Sequence, residues 1–139
     1  MISKLLLAYD GSDPARRAFD LALDLAKRYG AELHILAVAR PPEFGGEVET
    51  EAVIENSKQH CHQMLRPLQA AARSERTVAV HFEVAVGHPA EQIVRHAEDW
   101  KADLVVVGHR GRTFFERWLI GSVAKQVINH APCAVLVAR

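Results

Sequence analysis

The sequence predicts an α/β fold built on a parallel sheet with helices on both faces. Three observations predict it. Five short apolar runs alternate with four helical patterns along the chain, the signature of strand-helix-strand units. Four of those runs are near-continuous Val, Leu, Ile and Ala, as in strands buried on both faces. The length of 139 residues suits one domain with one core, taken as residues 1–139.

The first run covers residues 5–9 and stops at Asp10, Gly11 and Ser12. A helix follows, with Ala15, Ala18, Phe19, Ala22, Leu25, Ala26 and Tyr29 on one stripe and charged residues opposite. Asp13 fits its N-cap, Pro14 its first position and Gly30 the left-handed residue after it. The second strand is expected at 33–39, ended by Arg40, Pro41 and Pro42. A second helix is expected from about Thr50 to Arg73, with Val53, Ile54, Ser57, Cys61, Met64, Leu65 and Leu68 inward and Pro67 kinking or breaking it. The third run, 78–86, alternates through His81 and Glu83 and reads as an edge strand before Gly87. The third helix opens at Pro89. The fourth strand, 104–107, ends at Gly108, the fourth helix opens at Gly121 and Ser122, and the fifth strand covers 134–137.

Composition narrows the function. Hydrophobic residues make up 49% and charged residues 24%, an ordinary globular balance that argues against disorder. Lys and Arg number 17, and so do Asp and Glu. The zero net charge excludes a chain-wide cationic field, so no nucleic acid is expected as partner. Two cysteines are too few for a disulfide scaffold. No apolar stretch reaches the roughly 18 residues of a membrane span, and the N-terminus lacks the pattern of a signal peptide. A cytoplasmic setting is expected.

In open α/β sheets, ligands bind beyond the carboxyl ends of the strands, where strand order reverses. The most informative strand end is the fourth. Gly108 and Gly111 follow it, and Gly121 with Ser122 starts a helix whose free N–H groups and dipole suit an anion. By themselves these residues also fit a plain turn and a plain N-cap.

Their spacing, Gly, two residues, Gly, nine residues, Gly-Ser, resembles the nucleotide-binding pattern of the universal stress protein family. Leu-Ala-Tyr-Asp-Gly-Ser at 7–12 looks like that family's first strand and turn, and Gly-His-Pro-Ala-Glu-Gln-Ile at 87–93 looks like its third junction. Residues 102–108 and 121–137 are similar to its C-terminal half; only 40–73 is generic. The resemblance implies a Rossmann-like three-layer sandwich with strand order 3-2-1-4-5, which sets Asp10 beside Gly108. It further implies the family's ATP-binding branch, with Ala8, Asp10 and Val38 at adenine and ribose and Gly108, Gly111, Gly121, Ser122 and Val123 at ribose and phosphates. Mg²⁺ would ride on the phosphates.

Other residues carry readings of their own. Arg110 and Arg112 suit phosphate oxygens or a solvated loop; Arg110 is counted with the site. His109 reads as a solvated loop residue. Phe114, Phe115 and Trp118 read as a lid that buries itself or meets a neighbouring subunit. His60, Cys61 and His62 are adjacent and so point apart on a helix, which argues against a metal centre. Cys133 reads as a small buried hydrophobe. The 8 histidines are scattered, with no triad. Glu43, Glu47, Glu49, Glu51 and Glu55 read as a solvated face or flexible segment. The apolar fifth strand, if at an edge, needs cover, and a homodimer through it is expected. The expected function is an ATP-binding regulatory or stress-response module. With no evident base or nucleophile, it is at most a slow ATPase. The alternatives are a nucleotide-independent dimeric protein-interaction module and a weak ATPase or self-phosphorylating protein modified at Ser122 or Thr113.

Overall fold

A computed structural model describes residues 1–42, 46–110 and 120–139. Its elements run β1 (Lys4–Ala8), α1 (Asp13–Tyr29), β2 (Glu32–Ala39), α2 (Glu47–Arg73), β3 (Val80–Val86), α3 (Pro89–Trp100), β4 (Leu104–Gly108), α4 (Ser122–His130) and β5 (Ala134–Ala138). All pairings are parallel, in the order β3-β2-β1-β4-β5. The fold is the expected α/β sandwich with the expected strand order, and β3 is an edge as its alternation predicts.

Two cores explain the continuous apolar runs. Leu5, Leu7, Leu33 and Ile35 bury against Phe19 of α1 and Leu65 and Leu68 of α2. Leu6, Leu36, Val105 and Val107 bury on the other side against Ile93 and Ala97 of α3 and Val127 of α4. Consecutive strand residues therefore both leave water, and each fully buried Leu contributes about 1.5–3 kcal/mol. On β3, by contrast, His81 and Glu83 stay exposed.

Local chemistry moves several boundaries. Ser12, not Asp13, caps α1: its Oγ accepts from the Ala15 N–H at 3.2 Å, and Asp13 takes the first turn. Gly30 ends that helix at φ 63°, as expected. Helix α2 begins at Glu47, where Glu49 reaches back to the Gly46 N–H at 3.4 Å and two carboxylates meet the positive end of the dipole. It runs through Pro67 without a break. The Pro67 ring lies on the exposed face, while Cys61, Leu65, Leu68 and Ala72 hold both flanks to the sheet. Val53, expected inward, is 45% exposed. Strand β3 starts two residues after the expected Val78, which is buried from a turn with its N–H on the Glu75 carbonyl.

At the amino ends of β1 and β4, the strands that flank the sheet's reversal, one carboxylate bridges the seam. Asp103 Oδ2 accepts from the Ser3 N–H (2.8 Å), the Ser3 hydroxyl (2.9 Å) and the Lys4 N–H (2.9 Å). These donors, the Ser3 N–H foremost, hold its pKa below the usual carboxylate value. A depressed folded pKa means the unfolded chain takes up the proton first, so this contribution to stability is full above the ordinary carboxylate pKa and is lost as pH falls through the lowered one. Denaturant unfolding of wild type and Asp103→Asn is expected to show a stability gap at neutral pH that closes on acidification. A gap that persists in acid would remove Asp103 as its cause.

Candidate functional site

A cavity of about 520 Å³ opens over the carboxyl ends of β1, β2 and β4, within the usual range for ligand pockets. It lies where strand order reverses, because β1 pairs with β2 on one side and β4 on the other. Ala8, Asp10, Val38, Gly108, Arg110, Gly121, Ser122 and Val123 all line it. Those are the predicted site residues with one exception: Gly111 lies outside the described residues, as do Arg112, Thr113, Phe114, Phe115 and Trp118.

The β1 turn is built by a relay of caps. Asp10 Oδ1 accepts from the Ser12 N–H at 3.0 Å, and Ser12 Oγ in turn accepts from Ala15. Between them Gly11 takes φ +81°, a conformation that L side chains rarely adopt. Asp10 Oδ2 has no hydrogen bond among the described residues. Asp10 is thus both a turn residue and a cavity carboxylate.

The α4 end of the cavity has a different origin. Gly121 is the N-cap residue of α4 and supplies no side-chain cap, and no acidic residue sits in the first turn. Its own N–H is spent on the His109 carbonyl at 2.7 Å. The N–H groups of Ser122, Val123 and Ala124 then end the helix facing the cavity that all three residues line. Arg110 also lines the cavity, and its Nη1 is buried with no hydrogen-bond partner among the described residues.

Gly108 and His109 both have packing roles. The φ of Gly108 is not positive. A Cβ there would instead meet the Ala15 N and Pro14 Cβ, both at 2.9 Å, so the missing side chain admits the first turn of α1. His109 is buried rather than solvated, at 6% exposure. Its N–H donates to the Ala138 carbonyl at 2.6 Å while its carbonyl holds Gly121, so its backbone belongs to both β5 and α4.

Sequence reasoning missed the opposite wall. Tyr9, Arg40, His60, Cys61 and Met64 line the cavity too. Burial pushes the Tyr9 hydroxyl's pKa up, against the pull of Arg16, and burial also pushes the Cys61 thiol up. Their adjacency and helical spacing carried no sign of this. The histidines are not all scattered either. Away from the cavity, His34 stacks on Trp100 at 3.6 Å and meets the His81 ring at 4.9 Å, and His96 faces Glu83 at 3.4 Å. Burial, then His81, lowers the pKa of His34. Among the described residues no group of side chains could hold a metal ion, and no helix is long and apolar enough to cross a membrane. Cys133 is half-buried against the α3–α4 core.

The chain belongs to the universal stress protein family, whose signature matches residues 1–139. It is 37% identical to a universal stress protein of Methanocaldococcus jannaschii over 142 aligned positions, covering 100% of this chain and 83% of that protein. Its fold superposes on a universal stress protein from Lactobacillus plantarum with a TM-score of 0.91, at 27% identity, covering 99% of this chain and 98% of the other. A universal stress protein solved in complex with cAMP gives a TM-score of 0.73, at 26% identity, covering 99% and 97%.

The packing at Gly108 yields a prediction. Gly108→Ala is expected to cost about 1–3 kcal/mol of stability through overpacking against the α1 backbone. Urea unfolding measures it; a variant as stable as wild type would mean that the first turn of α1 yields freely.

Proposed function

We propose that this chain binds ATP, with Mg²⁺ carried on the phosphates, and acts as a nucleotide-dependent regulatory module of the stress response in the cytoplasm. The observation that carries this is the uncapped start of α4 facing the same cavity as a buried Arg110 nitrogen that has no hydrogen-bond partner among the described residues. Both groups suit an anion, one through backbone N–H groups and dipole, the other through a charge-assisted bond. The phosphates would rest on Ser122, Val123 and Ala124, with Arg110 beside them. Asp10 lines the same cavity, and its second oxygen, without a hydrogen bond among the described residues, suits ribose or base donors better than phosphate. The cAMP complex of a relative supports the same ligand class.

The cavity favours holding a nucleotide over turning it over. Asp10, its one carboxylate among the described residues, already spends an oxygen on the β1 turn. Any hydrolysis is therefore expected to be slow. A second copy of the chain is the proposed cover for β5, which ends the sheet with Val135, Leu136 and Val137 only half-buried and Ile128 of α4 43% exposed beside it.

Titration of nucleotide-stripped protein with MgATP is expected to show one site per chain; no heat of binding would leave the protein-interaction module as the better account. Ser122→Asp separates binding from folding. A carboxylate in the first turn of α4 should stabilise the helix by about 0.5 kcal/mol, yet weaken ATP at least about tenfold by repulsion. Unchanged affinity would move the phosphates elsewhere. Light scattering at micromolar concentration is expected to give a dimer mass, and a monomer would rule out the β5 contact.

A further inference from the structure

We infer that Met64 of α2 is a positioning residue for Asp10 and so sets affinity for the nucleoside half of the ligand. The inference rests on the nucleotide reading above and extends it to a wall of the cavity that the glycine pattern does not include.

The observation is a contact. An ideal Cβ on Gly11 would lie 2.7 Å from Met64 Sδ and 3.3 Å from its Cγ. The thioether therefore fills the space above Gly11 that a side chain would need. Gly11 is the centre of the turn that presents Asp10, and that turn is held internally by two bonds, Asp10 to Ser12 and Ser12 to Ala15. Both are local. Met64 brings a contact from a distant element, α2, which itself is anchored by the buried Cys61, Leu65 and Leu68. An unbranched, polarisable side chain suits such a site, since it can lie flat over backbone that has no Cβ.

The consequence follows from what Asp10 can recognise. A carboxylate accepts hydrogen bonds from hydroxyl or amino groups and repels phosphate. Its orientation depends on the turn, and the turn is packed by Met64. Phosphate contacts are supplied by other elements, the start of α4 and Arg110, and the Met64 contact is with Gly11. Loss of Met64 should thus weaken a nucleoside triphosphate and spare an inorganic one.

The experiment is a calorimetric double-mutant cycle at Met64 and Asp10, run with MgATP and with tripolyphosphate. Met64→Ala is expected to weaken ATP about tenfold and to change tripolyphosphate less than about twofold. Met64→Leu, which restores the volume, is expected to restore ATP. In an Asp10→Ala background the Met64→Ala change should cost little more, because residues acting through one another are non-additive. Unchanged ATP affinity in Met64→Ala, an equal loss for both ligands, or full additivity with Asp10→Ala would each overturn the inference. Should the alanine variant fail to fold, Met64→Val, which has no atom beyond Cγ, is read in its place by the same criteria. Failure of the wild-type protein to bind ATP overturns the nucleotide reading itself, and that result is visible before any variant is made.

Discussion

The site depends on one close approach, that of the first turn of α1 to the last residue of β4. Gly108 has no side chain, and the Ala15 N and Pro14 Cβ stand 2.9 Å from where a Cβ would be. Helix α1 follows β1, and β4 is the neighbour of β1 across the reversal. The contact therefore closes the sheet's carboxyl edge where the cavity opens. It brings the Asp10 turn, the start of α1 and the end of β4 together. Any larger residue at 108 would move α1 outward, and with it the turn whose caps run from Asp10 through Ser12 to Ala15.

Much of this was legible in the sequence, for a physical reason. Strands buried on both faces must be apolar at consecutive positions, and their ends are marked by residues that turn the chain, so the runs 104–107 and 5–9 could be read directly. The strand ends then located Asp10 and Gly108, and the start of the fourth helix located Gly121 and Ser122. What could not be read is tertiary in origin. Periodicity put Met64 and Cys61 on an inward face but could not say that this face meets a cavity as well as the core. Val78 is apolar because it is buried in a turn, which looks the same in one dimension as the first residue of a strand. Pro67 loses a helical hydrogen bond, but burial on either side of it outweighs that loss. His109 reads as loop polarity, since nothing local reveals that its N–H is held by β5 and its carbonyl by the start of α4.

Charge shows the same separation of scale. The whole chain is neutral, with 17 cationic and 17 acidic side chains. Between positions 108 and 125, however, the sequence carries Arg110, Arg112, Arg117 and Lys125 against Glu116 alone. Glu47 and Glu49 offset this elsewhere, at the start of α2, where the helix dipole favours them. The start of α4, in contrast, holds neither an acidic residue nor a side-chain cap. Two helix ends in one small protein are thus treated oppositely: one is neutralised by its own sequence, the other is left open toward the cavity. Net charge bears on partners with large surfaces; the uneven treatment of these two ends bears on a small one.

The open end of α4 is also tied to the edge of the sheet. The Gly121 N–H donates to the His109 carbonyl, and the His109 N–H donates to the Ala138 carbonyl at the end of β5. Two hydrogen bonds through one buried residue thus separate the helix start from the edge strand. Asp10, which also lines the cavity, is connected through Gly11 to Met64 and α2, which covers β2 and β3. The cavity therefore touches the two halves of the sheet by different means, backbone hydrogen bonds toward β5 and side-chain packing toward β3. Backbone bonds have narrow geometry and transmit a small displacement directly, whereas a methionine adapts and absorbs it. On that physical ground the end of the cavity at α4 is the stiffer half and the end at Asp10 and α2 the more adaptable one.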